Sequence, residues 1–284
     1  MEGLLPYSIN VGGRLLDLGE PQVMGILNVT PDSFYASSRK RTDSEIVERV
    51  KTILSEGASM IDIGAYSSRP GAEDIAEDEE KKRLRHGLEI LRSIAPDAIV
   101  SVDTFRADVA RMCVEDFGVQ IVNDISGGEL DPAMFETVAG LRVPYILMHM
   151  KGNPHNMQDN PSYAHLMAEM LRYFGDKVQR LHEMGVKDII LDPGFGFAKT
   201  LDHNYELMGH LHNLTVLELP LLVGVSRKSM IYKLLNTTPE GALNGTSVLN
   251  TMALLQGASI LRVHDVKEAV EAVTIVKKTL SCRH

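Results

Sequence analysis

The chain has 284 residues, of which 44% are hydrophobic and 24% charged, an ordinary balance for a globular protein. Its formal net charge of −9 argues against nucleic acid as a partner, because phosphate backbones are bound by basic surfaces. No apolar run approaches the ~20 residues that span a bilayer, and the N-terminus lacks a signal-peptide pattern, so we expect a cytoplasmic protein without a membrane partner.

Short apolar runs alternate with helical patterns along the chain. Residues 7–19 read as a hairpin that turns at Gly12 and Gly13. Eight apolar runs follow, each with a helical pattern behind it, at 23–27, 60–64, 98–102, 119–122, 144–148, 188–191, 221–225 and 259–263. This alternation predicts parallel strands with right-handed crossovers, and eight units favour a closed (β/α)8 TIM barrel over an open sheet. We therefore predict a single α/β domain over 1–284, with the N-terminal β-hairpin closing the bottom of the barrel.

The ends of the helices carry their own signals. Glycines at 57, 118, 185 and 257 stand between a helical pattern and the next strand, where a left-handed residue commonly ends a helix. Asp265 precedes the last helical pattern and is predicted to cap it.

Polar or ionisable residues follow every one of the eight apolar runs. Because catalytic groups of parallel barrels lie at the carboxyl ends of the strands, these residues are predicted to share one rim. In chain order they are Asn28, Ser67 to Arg69, Asp103, Asn123 with Asp124, His149, Asp192, Ser226 to Lys228, and Arg262 with His264.

The rim residues divide by charge into two sets. The first suits an anion with several oxygens, since guanidinium groups match phosphate; it contains Arg69, Lys228, Arg262 and His264. The second suits a flat ring that bears N–H donors, since ionised carboxylates only accept hydrogen bonds; it contains Asp103, Asn123 and Asp192. The two sets predict a substrate with a diphosphate at one end and a donor-rich ring at the other.

Structural roles compete with these interpretations. Asp103 and Asp192 are each as readily explained as helix caps or turn residues, and Lys228 taken alone suits a solvated helix face. His149, beside two methionines, is interpreted as a core histidine whose hydrogen bonds are satisfied. The GFGF stretch at 194–197 lacks a dinucleotide fingerprint, so a nicotinamide cofactor is not expected.

Seven motifs, taken in order, resemble the dihydropteroate synthase family over roughly residues 20–280. They are GILNVTPDSF, SSRPGA, SVDTF, VNDISGG, DPGFGF, GVSRKS and RVHD. The resemblance implies a (β/α)8 barrel, a homodimer, and the Mg²⁺-dependent joining of 6-hydroxymethyl-7,8-dihydropterin diphosphate to 4-aminobenzoate, with release of pyrophosphate. It also implies a place in folate synthesis and competition by sulfonamides for the aminobenzoate site.

The same resemblance implies a role for individual residues. Those carried over as pterin contacts are Asp103, Asn123, Met148, Asp192, Phe197, Lys228 and Arg262. Those for the diphosphate are Asn28, Arg69, Arg262 and His264, and Asn28 would also ligate Mg²⁺. Those for the aminobenzoate are Phe34, Ser68, Pro70, Lys228 and Ser229. Asp103, Lys228, Arg262 and His264 are the residues expected to act in catalysis.

The chain departs from the family pattern in two loops. Residues 35–40 contain no glycine where the family loop usually has several, and Ser68 stands where threonine often precedes the arginine. The pterin and diphosphate residues all match the pattern.

Two other functions share parts of this pattern. A pterin-binding methyltransferase domain would have the barrel and the acidic ring contacts, but no use for a diphosphate site. A non-catalytic pterin-binding protein would be expected to lack one of the charged groups, and none is missing from the sequence.

Overall fold

A computed structural model describes residues 7–29, 43–66, 74–152 and 161–282. Eight parallel strands form a closed barrel in the order β10-β3-β4-β5-β6-β7-β8-β9. The barrel strands are β3 (Gln22–Asn28), β4 (Met60–Gly64), β5 (Ile99–Asp103), β6 (Ile121–Asp124), β7 (Tyr145–Met148), β8 (Ile189–Asp192), β9 (Leu221–Val223) and β10 (Ala258–Val263). The predicted barrel is confirmed, and each strand overlaps its predicted apolar run.

Helices connect the strands on the outside of the barrel. They are α1 (Asp43–Ser55), α2 (Glu77–Ile94), α3 (Ala107–Phe117), α4 (Met134–Leu141), α5 (Leu166–Glu183), α6 (Leu201–Gly209), α7 (Ser229–Leu234), α8 (Leu243–Leu255) and α9 (Val266–Ser281). Within the described ranges, none of these helices is long and apolar enough to cross a membrane.

Alternate residues of each strand face different surroundings, as the period of two in an extended chain requires. On β4, Ile61 and Ile63 pack in the large cluster that joins the barrel to its helices, whereas Met60 packs in a separate cluster inside the barrel. Asp62 shares the inward face with Met60 and is fully buried. Toward the carboxyl ends, the inward face therefore changes from apolar to polar.

The N-terminal hairpin closes the opposite end of the barrel, as predicted. Its strands are β1 (Ser8–Val11) and β2 (Arg14–Asp17), and the turn residues Gly12 and Gly13 both have positive φ. Ile9, Val11 and Leu18 pack against the inward residues at the start of the barrel strands. Because the hairpin covers the amino ends of the strands, the open mouth of the barrel is formed by their polar carboxyl ends.

The predicted cap of the last helix is wrong. Asp265 precedes α9 but its side chain makes no capping hydrogen bond. Its carboxylate instead accepts hydrogen bonds from Arg227 Nε and Nη2 at 2.9 and 2.8 Å. A bidentate guanidinium is a stronger partner than one backbone N–H, and Arg227 also ties this turn to the carbonyls of Pro239 and Glu240.

Candidate active site

Arg262 lies between two carboxylates inside the mouth of the barrel. Its Nε donates to Asp62 Oδ2 at 2.6 Å, and its Nη2 donates to Asp103 Oδ2 at 2.6 Å. The strands β10, β3, β4 and β5 are consecutive in the barrel, so the three side chains reach across β3 to meet. The basic and acidic groups are thus interleaved here. The prediction that they form two separate sets within the mouth is wrong for Arg262 and Asp103.

The orientation of the Asn123 carboxamide is set by the same cluster. Asn123 Nδ2 donates to Asp62 Oδ2 at 3.0 Å. A carboxylate can only accept, so the nitrogen must face Asp62 and the oxygen must face away from it. Asn123 Oδ1 and Asp62 Oδ1 are both buried without a hydrogen-bond partner among the described residues. Buried acceptors normally have donors, and these two are available to the N–H groups of a ligand.

Burial and pairing oppose each other at Asp103. Removal from water raises the pKa of the Asp103 carboxyl above its ordinary value, and the Arg262 guanidinium opposes this rise without cancelling it. On Arg262, the carboxylates of Asp62 and Asp103 outweigh burial and raise the pKa of the guanidinium. The guanidinium is therefore a permanent cation, and the two carboxylates around it supply the compensating charge.

Asp192 and Lys228 face the cluster from β8 and from the turn after β9. Asp192 Oδ1 accepts from the Gly194 N–H at 2.7 Å, and Lys228 Nζ donates to the Phe195 carbonyl at 2.5 Å. Burial lowers the pKa of Lys228 to about 8, against the opposing effect of Asp192. Lys228 Nζ also lies 4.7 Å from the centroid of the Phe197 ring. Lys228 is half-buried within the mouth, so the alternative of a solvated helix face is wrong.

An apolar group lies beside these charges. It contains the buried Ile125, Met148, Met150 and Ala198, with Phe105 and Phe197 packed against them. Acceptors next to an apolar wall suit a flat ring that has donors on its edge and an apolar face.

A buried lysine holds the loop that carries Phe197. Lys199 Nζ donates to the carbonyls of Gly194 and Phe197 at 3.0 and 3.1 Å and lies 3.1 Å from His149 Nδ1. Burial lowers the pKa of Lys199 to about 7. Burial and the neighbouring Lys199 lower the pKa of His149 to about 2. His149 is thus a neutral core histidine with a satisfied Nδ1, as predicted from the sequence.

Replacing Gly194 with alanine is expected to lower the free energy of unfolding by more than about 2 kcal/mol. Gly194 has a φ of +68°, and an added Cβ would lie 2.1 Å from the backbone oxygen of His149. Urea unfolding measures the loss. Gly175→Ala is the matched control, because a Cβ at Gly175 in α5 meets nothing within 4 Å. Equal stability of the two variants would contradict the close approach at Gly194.

The structure brings together many of the residues predicted for the site. Direct contacts join Arg262 with Asp103 and, through Asp62, with Asn123. Asn28 ends β3, Ser229 begins α7, and His264 follows β10, so all three lie at the same end of the barrel. Four predicted residues lie outside the described ranges, namely Phe34, Ser68, Arg69 and Pro70.

Sequence reasoning missed Asp62, and it wrongly placed Asp124 among the residues that face the mouth of the barrel. Asp62 lies in the middle of an apolar run, where an acidic residue has no partner nearby in the chain. That isolated charge was the available signal, since a fully buried carboxylate requires a partner. Asp124 points out of the barrel and accepts from Tyr145 Oη at 2.7 Å and from the backbone N–H of Ser126 and Gly128.

Comparison with known proteins gives consistent matches. The family model described as "Pterin binding enzyme" matches residues 24–264. The dihydropteroate synthase of Escherichia coli K12 is 42% identical over 275 residues, which is 95% of this chain and 96% of that protein. A crystal structure of Yersinia pestis dihydropteroate synthase in a sulfonamide drug complex has a TM-score of 0.90 and 43% identity, and covers 97% of this chain and 100% of that chain.

A second solved structure has 4-aminobenzoic acid bound. It is Xanthomonas albilineans dihydropteroate synthase, with a TM-score of 0.89 and 36% identity over 98% of this chain and 99% of that chain. Family model, sequence identity and fold agree over nearly the whole chain, including every strand that supplies the site. The chain therefore belongs to the pterin-binding enzyme family, among the dihydropteroate synthases.

Proposed function

We propose that this enzyme joins 6-hydroxymethyl-7,8-dihydropterin diphosphate to 4-aminobenzoate, giving 7,8-dihydropteroate and pyrophosphate, as a step of folate synthesis. The observation that carries the proposal is the Asp62–Arg262–Asp103 cluster, with Asn123 oriented by Asp62, at the mouth of a family-typical barrel. It places a permanent cation and several acceptors within the span of one small substrate.

The pterin end of the substrate meets the acceptors. Asp103, Asp192 and Asn123 Oδ1 accept from the N–H groups on the ring edge, while Lys228 and Arg262 border the ring as cations. Met148 and Phe197, from the apolar group, pack against the ring face. A donor-rich ring is selected because an analogue without those N–H groups would leave buried acceptors unpaired.

The diphosphate end is bound by Arg262 and His264, together with Asn28 at the end of β3 and Arg69, which lies outside the described ranges. In the described part of the chain there is no group of three His, Cys, Asp or Glu side chains that could hold a metal ion. The donor set at this rim, one carboxamide beside bound phosphate, fits Mg²⁺, which commonly keeps substrate phosphates and water as ligands. When bound, the ion neutralises negative charge on the phosphates.

The reaction begins with cleavage of the bond between the methylene carbon and the diphosphate oxygen. The electron pair leaves with pyrophosphate, where Arg262 and His264 stabilise the added charge. The positive charge that remains is shared between the methylene and the ring, and the ionised Asp103 stabilises it. The neutral amine of aminobenzoate then forms the C–N bond and releases a proton to water. The main contribution of the protein is preorganised charge and positioning.

The aminobenzoate lies at the outer edge of the same mouth. Lys228 and Ser229 border its site from the start of α7. Phe34, Ser68 and Pro70, which lie outside the described ranges, are the other residues that the family resemblance assigns to this site. A sulfonamide carries the same aromatic amine, so sulfonamides compete for this site.

A pyrophosphate-release assay tests the function. The protein is incubated with the pterin diphosphate and aminobenzoate, with and without Mg²⁺. Pyrophosphate formed only with both substrates and Mg²⁺ supports the proposal. Tight pterin binding without release would favour a binding protein, and methyl transfer from a methylated pterin would favour the methyltransferase alternative.

We also propose that one barrel domain forms each subunit of a homodimer. An exposed apolar stripe supports this, defined here as Leu234 at the end of α7, Leu235 directly after it, and Val248, Met252 and Leu255 of α8. The last three follow helical spacing and so share one face of α8. A second copy would bury this stripe around a two-fold axis.

Replacing Met252 with glutamate is expected to convert the dimer to monomers, because two charges would be buried near the axis without partners. Sedimentation velocity measures the mass. Leu15→Glu is the control, since Leu15 is 78% exposed on the hairpin at the closed end of the barrel. The interface would be contradicted if the wild type were a monomer, or if Met252→Glu formed a dimer as stable as that of the wild type.

A further inference from the structure

Ser226 makes two contacts with His264 at the mouth of the barrel. Ser226 Oγ accepts from the backbone N–H of His264 at 3.1 Å and lies 3.0 Å from His264 Nδ1. Ser226 is 5% exposed, so its hydroxyl has little access to water. The two residues come from the turn after β9 and the turn after β10, adjacent strands of the barrel.

Hydrogen accounting decides the direction of the bond to the ring. The serine hydroxyl has one hydrogen and two lone pairs, and the backbone N–H of His264 occupies one lone pair. The hydroxyl hydrogen then needs an acceptor, and His264 Nδ1 is the acceptor that the described contacts provide. Nδ1 thus accepts, and in the neutral imidazole the ring proton must be on Nε2.

Other contacts hold the backbone around the ring. Arg49 Nη2 donates to the carbonyl of His264 at 2.7 Å, and the same side chain donates to the carbonyl of Ile26 on β3. Asp265, the next residue, is bound by both nitrogens of the Arg227 fork. With Ser226 on its N–H, the peptide groups on both sides of His264 are held in place, and the Nδ1 contact acts on the ring itself.

We propose that Ser226 is a positioning residue that holds the His264 imidazole in its Nε2–H form, so that the ring presents a donor to a phosphate oxygen. The consequence for catalysis rests on the proposed function, whereas the hydrogen bond and the tautomer do not. A lone pair on Nε2 would repel the negatively charged oxygen, while an N–H stabilises it as its charge increases.

The tautomer is measured directly by ¹⁵N NMR of the imidazole groups. The chain has 10 histidines, and the signals of His264 are those that disappear in His264→Gln. When the neutral form of the wild-type ring is observed, we expect its proton on Nε2. In Ser226→Ala we expect a mixture of both tautomers. A neutral wild-type ring with its proton on Nδ1, or an unchanged tautomer in Ser226→Ala, would overturn the proposal.

Binding and kinetics supply an independent readout. In Ser226→Ala, the affinity for inorganic pyrophosphate and the kcat/KM for the pterin diphosphate should each fall roughly 10–100-fold, the range found when a group that orients a metal-bound histidine is removed. The KM for aminobenzoate should stay unchanged, and Ser226→Thr, which keeps the hydroxyl, should restore most of the loss. Equal losses for both substrates, or no rescue by threonine, would indicate a merely structural role and overturn the proposal.

Ser59→Ala is the matched control. Ser59 is half-buried and its hydroxyl donates to the carbonyl of Val23 at the closed end of the barrel, so the same chemical change is made far from His264. The control should keep the wild-type tautomer and pyrophosphate affinity. If the protein released no pyrophosphate with any substrate, the proposed function would fail, but the tautomer measurement would still decide the role of Ser226.

Discussion

Replacing Arg262 with glutamine is expected to lower the rate of pyrophosphate formation about 10²–10³-fold. The guanidinium is the permanent cation of the site and lies within 2.6 Å of both Asp62 and Asp103. Glutamine keeps hydrogen-bonding groups but removes the charge that neutralises the departing diphosphate. It also leaves two carboxylates together in a buried site, which opposes the approach of an anion.

Single-turnover measurement of pyrophosphate separates this effect from product release. Arg262→Lys tests geometry, because lysine keeps the charge but lacks the fork that spans the two carboxylates; an intermediate loss is expected. Arg85→Gln is the control, since Arg85 forms an exposed ion pair with Asp116 at 2.8 Å and should leave the rate unchanged. Full turnover in a folded Arg262→Gln protein would refute the assigned role.

Replacing Asp62 with alanine is expected to lower the free energy of unfolding by about 3 kcal/mol, the lower end for breaking a buried ion pair. The lower end applies because Arg262 keeps Asp103 as a partner. The same change frees the Asn123 carboxamide to rotate, since its Nδ2 loses the carboxylate that orients it. Pterin affinity should therefore fall as well, although Asp62 itself is not among the residues assigned to the ring.

Urea unfolding and calorimetric binding of a pterin measure the two losses. Asp116→Ala is the matched control, because it removes the same carboxylate from an ion pair whose partners are both about half exposed, and such pairs contribute roughly 1 kcal/mol or less. A double-mutant cycle of Asp62→Ala with Arg262→Gln gives the coupling between the two side chains. If Asp62→Ala and Asp116→Ala had the same free energy of unfolding, the buried ion pair of Asp62 would not stabilise the protein as predicted.

Local pattern was sufficient to predict the strands and the hairpin. The run MIDIG at 60–64 coincides with β4, and SVD ends β5 at Asp103 as expected. Such runs are informative because a strand buried on both faces needs apolar residues at nearly every position. The observed strands β6 and β8 end at Asp124 and Asp192, two residues and one residue beyond the predicted runs. Pairing with a neighbouring strand continues to these positions.

The partners of charged side chains could not be predicted in the same way. Asp265 precedes a helix and was expected to cap it, but Arg227, 38 positions away, takes its carboxylate. Asp62 gave a weak signal because its partners Asn123 and Arg262 are 61 and 200 positions away. Sequence spacing carries information about neighbours within a strand or a helical turn, and these pairs exceed that range.

The amino-acid sequence by itself determined the order of strands and helices, the barrel, and the end of the barrel at which the polar groups collect. Those properties depend on periodicity and on local turn chemistry, which act over a few residues. Only the tertiary structure decided that Arg262 stands between Asp62 and Asp103, that Asp62 orients Asn123, and that Ser226 meets His264. Closure of the barrel makes strands distant in the chain adjacent in space, and burial then requires each charge to find its partner there.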